Sequence, residues 1–176
     1  MKIHIVGPVG CGKTRLAVAL AQNFDIPHYE LNAIMLKDDT GKLEQDSATA
    51  KAQLTKQLLS SSWIFESSVD ELFDNYFSEA DIIVVLDTPS YKNRWQIVSG
   101  FFKEKLNNVK NKIAYDNKFD KTFNDMKKQL QAEKEYRKVK RGNLIDQLMP
   151  FESKVIVYTS ANIAFEDLVE HVLKDD

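Results

Sequence analysis

The residues best suited to chemistry are Gly7-Pro8-Val9-Gly10-Cys11-Gly12-Lys13-Thr14, which match the spacing G-x-x-x-x-G-K-[ST]. That spacing suits a polyanion. Its glycines let successive main-chain N–H groups turn inward around a phosphate, and a helix beginning there presents its positive end to the same charge. Gly7, Gly10, Cys11 and Gly12 are expected to line the loop, with Arg15 just beyond it. Lys13 should reach the β- and γ-phosphates of a nucleoside triphosphate, and the Thr14 hydroxyl should ligate Mg²⁺. The motif requires a strand before it and a helix after it. Residues 2–6 (Lys-Ile-His-Ile-Val) read as a buried strand, and Leu16, Leu20 and Phe24 mark a helical face over residues 13–24.

Two carboxylates stand at the ends of other apolar runs. Glu66 closes Trp63-Ile64-Phe65, and Asp87 closes Ile82-Ile83-Val84-Val85-Leu86. In an α/β fold ligands gather at the carboxyl ends of parallel strands, so either acid is placed to serve Mg²⁺ or an acceptor hydroxyl. Asp87 also reads as a helix cap, because Asp-Thr-Pro-Ser leads into a helical pattern. Cys11 has two readings: a thiol activated by the helix end and Lys13, or a small residue filling the loop. The histidines, at 4, 28 and 171, lack metal-ligand spacing. His4 and His28 read as packing residues of strands, and His171 as a surface residue.

Strand and helix patterns alternate along the chain. Strands are expected at 2–6, 28–31, 63–65, 82–86 and 155–158. Helices are expected at 13–24, 46–60, 69–78, from Pro89 onward, through Phe119-Phe123-Met126-Leu130, and at 162–174. Continuous apolar strands separated by helices predict a parallel sheet covered on both faces. The long helix after Pro89 shows a stripe of Tyr91, Trp95, Val98, Phe102 and Leu106. That spacing predicts a core face, with stacking of Tyr91 and Trp95 on an acceptor base as the alternative.

The chain has 176 residues, 43% hydrophobic and 28% charged, with six glycines and four prolines. These values predict one globular domain over 1–176, in which residues 90–149 exceed a simple crossover and project as a helical lid. The longest apolar run, Ile82 to Leu86, falls far short of the roughly 20 residues of a membrane span. A single cysteine excludes an internal disulfide framework. The expected location is cytoplasmic, without membrane partners; the sequence does not specify an oligomeric state.

Residues 2–7 (Lys-Ile-His-Ile-Val-Gly), 26–31 (Ile-Pro-His-Tyr-Glu-Leu), 63–66 (Trp-Ile-Phe-Glu) and 80–89 (Ala-Asp-Ile-Ile-Val-Val-Leu-Asp-Thr-Pro) together with the phosphate loop give a family resemblance. The chain resembles adenylate kinase-like P-loop kinases, above all the bacterial DNA topology modulation (FlaR-like) proteins. The resemblance implies a three-layer α/β P-loop NTPase fold with a five-stranded parallel sheet in the order 2-3-1-4-5. It also implies ATP with Mg²⁺, and phosphoryl transfer to a nucleoside, nucleotide or other small acceptor. Ser160, Ala161 and Asn162 would lie near the adenine. The family's second strand usually ends in Leu-Asp, where this chain has Asn32. Its helix after Asp87 usually carries several arginines, where this chain keeps only Arg94. Arg94, with Arg137 or Arg141 from the lid, would neutralise the transferring phosphoryl group.

Other readings stand beside this one. Asn117-Lys118-Phe119-Asp120 matches the guanine-reading N-K-x-D pattern, but a Lys/Asn-rich segment precedes it instead of a buried strand. The missing arginines suit a catalytically silent ATP-binding regulator. Residues 91–141 carry 15 Lys/Arg against 6 Asp/Glu, a net +9 against −11 elsewhere. The basic segment suits a lid that contacts phosphates, a solvated face, or a DNA-binding surface.

Overall fold

Five short strands pair in parallel in the order β2-β3-β1-β4-β5: Lys2–Val6 (β1), His28–Glu30 (β2), Trp63–Ser67 (β3), Ile82–Leu86 (β4) and Val155–Tyr158 (β5). The structure is a computed structural model that describes residues 1–31, 47–68, 74–110 and 116–172. Asn32, where the resembled family usually has Asp, lies outside those residues.

The strands have few polar side chains because both faces of the sheet are covered. On one face Ile3, Ile5, Val84 and Leu86 pack with Leu16 and Leu20 of α1 (Lys13–Phe24) and Ala164 of α7 (Ala161–Asp167). On the other, Val6, Trp63, Phe65 and Ile83 pack with Leu54 of α2 (Ser47–Leu58) and Phe77 of α3 (Asp74–Glu79). Each buried Leu or Ile of this kind stabilises by about 1.5–3 kcal/mol. The result is the expected three-layer arrangement.

Between β4 and β5 the chain is helical: α4 (Ser90–Lys110), α5 (Asp116–Glu135), a π-helical turn (Tyr136–Lys140) and α6 (Arg141–Leu148). Residues 117–120 fall in the first turns of α5, so the N-K-x-D pattern belongs to a helix. Tyr136, Leu144 and Leu148 anchor this segment in the second core.

The buried face of α4 corrects the sequence reading. Tyr91, Trp95 and Phe102 are 70%, 71% and 54% exposed, while Asn93, Ile97 and Phe101 are buried. Both sets follow helical spacing. The contacts decide between them: Ile97 lies under Gly10 of the loop, and Phe101 packs on Phe123 of α5. Tyr91 and Trp95 are therefore surface residues.

Candidate functional site

The loop between β1 and α1 is shaped by three glycines, one required by a close approach and two by left-handed backbone. A Cβ on Gly7 would stand 2.6 Å from the Leu86 carbonyl oxygen, so the close approach of β1 and β4 excludes any side chain there. Gly10 and Gly12 have φ of +79° and +97°, the left-handed region that glycine occupies without a steric penalty. Gly12 sits at the N-cap of α1, and no side chain caps that end. The first N–H groups of α1, from Lys13 onward, are thus unclaimed by any capping side chain, which is the arrangement that binds an anion. The Lys13 ammonium folds back over the hollow and donates to the carbonyls of Gly7 and Pro8, 3.0 Å each.

Beside the loop lies a carboxylate whose oxygens are both engaged. Glu66 is only 2% exposed. Its Oε2 accepts the Thr14 hydroxyl at 3.0 Å, and its Oε1 lies 3.1 Å from Nε2 of His28. An ionised carboxylate only accepts, so the imidazole nitrogen is the donor. Parallel register makes this cluster: β2 places Glu30 opposite Glu66 and His28 opposite Ile64, and β1 places Ile5 opposite Glu66. Reading His28 as a packing residue missed its hydrogen bond to Glu66, because the partner is 38 positions away and only strand register brings the two together. His4 did prove to be a packing residue. It is fully buried against Ser67 Oγ at 2.8 Å, and burial pushes its imidazole down to about 3.

Asp87 takes a different role from Glu66. Arg137 donates to its Oδ1 at 2.8 Å, and Arg141 donates to its Oδ2 from Nε and Nη2 at 3.0 and 2.8 Å. Arg137 also donates to the Thr88 carbonyl, and to Glu133 at 3.2 Å. Burial alone would raise the Asp87 carboxyl, but Arg141 and Arg137 outweigh it and hold the group below its usual range. Its oxygens are committed to guanidinium groups, which leaves Glu66 and Thr14 as the oxygen pair nearest the loop. Arg94, expected to join Arg137 and Arg141, is exposed on α4 and makes no ion pair among the described residues. Asn93 is the buried neighbour beneath the loop, its backbone carbonyl facing Gly10.

Cys11 is buried, and burial raises its thiol above the usual range despite Lys13. That removes the activated-thiol reading. Cys11 fills the space under the loop, and its carbonyl receives Thr88 Oγ1.

Two cavities adjoin at Arg15. A cavity of about 550 Å³ opens over Gly12, Lys13 and Thr14, walled by Ile97, Phe101 and Met126. A smaller one, about 230 Å³, lies between Arg15, Ala19, Ala161, Asn162 and Phe165. Arg15 donates to Asn162 Oδ1 at 2.8 Å, and Ser160 caps α7 by accepting the Asn162 N–H. The structure thus brings Arg15 onto Asn162, with Ala161 lining the same cavity.

Thr14 Oγ1 and Glu66 Oε2 are hard oxygen donors side by side, a set that fits Mg²⁺, which takes few protein oxygens alongside phosphate and water. Among the described residues no three His, Cys, Asp or Glu side chains gather as a metal site of their own.

Fold and loop together define a P-loop NTPase fold. A model of the ATPase family associated with various cellular activities (AAA) matches residues 3–88, the stretch from β1 to just past β4. No curated protein sequence matches the chain. Among solved structures, deoxyadenosine kinase from M. mycoides with bound dATP is 15% identical, covering 99% of this chain and 98% of its own, with a TM-score of 0.50. Shikimate kinase from Acinetobacter baumannii, in complex with shikimate, is 13% identical over 99% and 94%, with a TM-score of 0.48. An uncharacterized protein from Eubacterium ventriosum is 14% identical over 98% and 97%, with a TM-score of 0.48. At these identities the likeness is one of fold. No helix among the described residues is long and apolar enough to cross a membrane.

Proposed function

We propose that the protein is an ATP-dependent kinase for a small hydroxyl-bearing acceptor, of the adenylate kinase-like class and similar to the FlaR-like proteins. The observation that carries this reading is the contact of Glu66 with Thr14, which sets a buried carboxylate beside an uncapped helix end and a lysine. Fold alone would not assign a reaction.

On this reading the adenine enters the smaller cavity beside Arg15 and Asn162, and the phosphates lie on the amides of Gly10 to Thr14. The Lys13 ammonium exchanges the Gly7 and Pro8 carbonyls for phosphate oxygens. Thr14 and Glu66 would hold Mg²⁺, directly and through water, and the ion when bound supplies neutralising charge to the β- and γ-phosphates. Glu66 accepts the proton of the acceptor hydroxyl as the acceptor's oxygen bonds to the γ-phosphorus. The bond from that phosphorus to the β–γ bridging oxygen breaks, and ADP departs. Arg137 and Arg141, which both pair with Asp87, would turn to the transferring group, worth orders of magnitude in rate.

A second reading is a nucleotide-binding regulator without transfer. It is favoured by the placement of the arginines: Asp87 pairs with Arg137 and Arg141 internally, and Arg94 faces solvent. Measuring ATP consumption with a panel of nucleosides, nucleotides and small alcohols separates the two. The kinase reading predicts ADP formation that depends on one acceptor class. ATP binding with no acceptor-dependent turnover would establish the regulator instead.

A further inference from the structure

Among the described residues Glu66 has two hydrogen-bond partners, and only one belongs to the phosphate-loop motif. The other, His28, lies on the edge strand β2, where its side chain is about one-fifth exposed while Glu66 is almost wholly enclosed. We infer that His28 is the positioning residue of this site, the group that fixes the Glu66 carboxylate so that one oxygen always faces Thr14. The inference deepens the kinase reading and rests on it.

A carboxylate at the end of a flexible side chain has two equivalent oxygens and free rotation about its last bond. At 2% exposure no bulk water is available to hold the second oxygen, so a protein donor must do so. Nε2 of His28 is that donor, at 3.1 Å from Oε1. With Oε1 held, Oε2 is the oxygen at 3.0 Å from Thr14 Oγ1. The three residues come from three elements, α1, β2 and β3. The register of β2 on β3 therefore decides where the carboxylate points. Partners that orient a ligand carboxylate in this way typically change metal affinity or activity by about 10–100-fold when removed.

The role separates experimentally from simple packing. His28→Leu removes the donor while keeping an apolar body on β2; His28→Gln retains an N–H that can reach Glu66. ATP affinity is measured by calorimetry on the full chain, once with EDTA and once with Mg²⁺. The wild-type protein should bind ATP in EDTA through its loop amides and Lys13, and more tightly with Mg²⁺. His28→Leu should keep the EDTA affinity within about twofold and lose about tenfold of the Mg²⁺-dependent gain. His28→Gln should recover most of it. A His28→Leu protein with the wild-type Mg²⁺ gain would overturn the inference while leaving the kinase reading intact. Equal loss in EDTA and Mg²⁺ would also overturn it, because that is the signature of a packing defect. A wild-type protein that binds no ATP would overturn the phosphate-loop reading and this inference together.

Discussion

Replacing Glu66 by Gln separates the chemistry from the cradle. The carboxylate accepts two charge-assisted hydrogen bonds, from Thr14 at 3.0 Å and from His28 at 3.1 Å, in a site where it is 2% exposed. An amide of the same shape offers one oxygen and one NH₂, so one of the two donors loses its acceptor. A hydrogen bond to a charged group contributes about 1.5–3 kcal/mol, and one such bond is lost. In a chain of this size each kcal/mol lowers the melting temperature by about 2–4 °C, which gives a fall of about 3–12 °C. The cradle of main-chain amides is untouched, so ATP affinity in EDTA should stay within about twofold. Phosphoryl transfer should fall by about 10²–10⁴, the usual contribution of a positioned base. Melting by circular dichroism, calorimetry and a coupled ADP assay read the three quantities on one preparation. Turnover within threefold of wild type would remove Glu66 from the chemistry. A lost ATP site in a folded variant would show that Glu66 shapes the cradle itself.

The remaining predictions rest on backbone geometry and burial. Gly10→Ala forces a Cβ at φ +79° to within 2.7 Å of Ile97 Cγ1, so stability should fall by at least about 1–2 kcal/mol and ATP affinity by more than tenfold. Gly100→Ala, on α4 with open space around its Cβ, should raise the melting temperature instead, and a fall would contradict the helix. Because His4 is neutral in the fold and titrates near its ordinary 6.5 when unfolded, its contribution is complete above pH 6.5 and declines as pH falls toward 3. Urea unfolding at pH 5 should therefore show about 2 kcal/mol less stability from this residue than at pH 7.5, and His4→Gln should flatten the difference. The Asp87 clamp, whose carboxyl is held low, adds a loss confined to pH below its ordinary 3.8.

Parts of this structure were legible in the sequence because a local rule dictates them. The loop from Gly7 to Thr14 is one such part, since its glycines and lysine work through main-chain geometry within eight residues. Ile82–Leu86 is another, because a continuous β-branched run suits a strand buried on both faces. The buried side of α4 was not legible. Tyr91-Trp95-Phe102 and Asn93-Ile97-Phe101 both satisfy a 3.6-residue period, and only the contact with Gly10 chooses between them. His28 was hidden for a related reason: its partner Glu66 lies two residues along β3 from the residue opposite it, so the contact is a property of pairing register. Asp87 was recognised as a strand-end acid, but the two guanidinium groups that occupy it come from positions 50 and 54 residues later. Arg94 was expected on the strength of the family resemblance alone, and α4 turns it to solvent.

The central claim is that amides from Gly10 to Thr14, completed by Lys13, cradle the phosphates of ATP. Calorimetric titration of ATP into the wild-type protein and Lys13→Ala tests it most directly, with circular dichroism confirming both folds. The predicted result is saturable one-to-one binding by the wild type and loss of at least tenfold affinity in the variant. Equal affinities, or no binding by a folded wild-type protein, would contradict it.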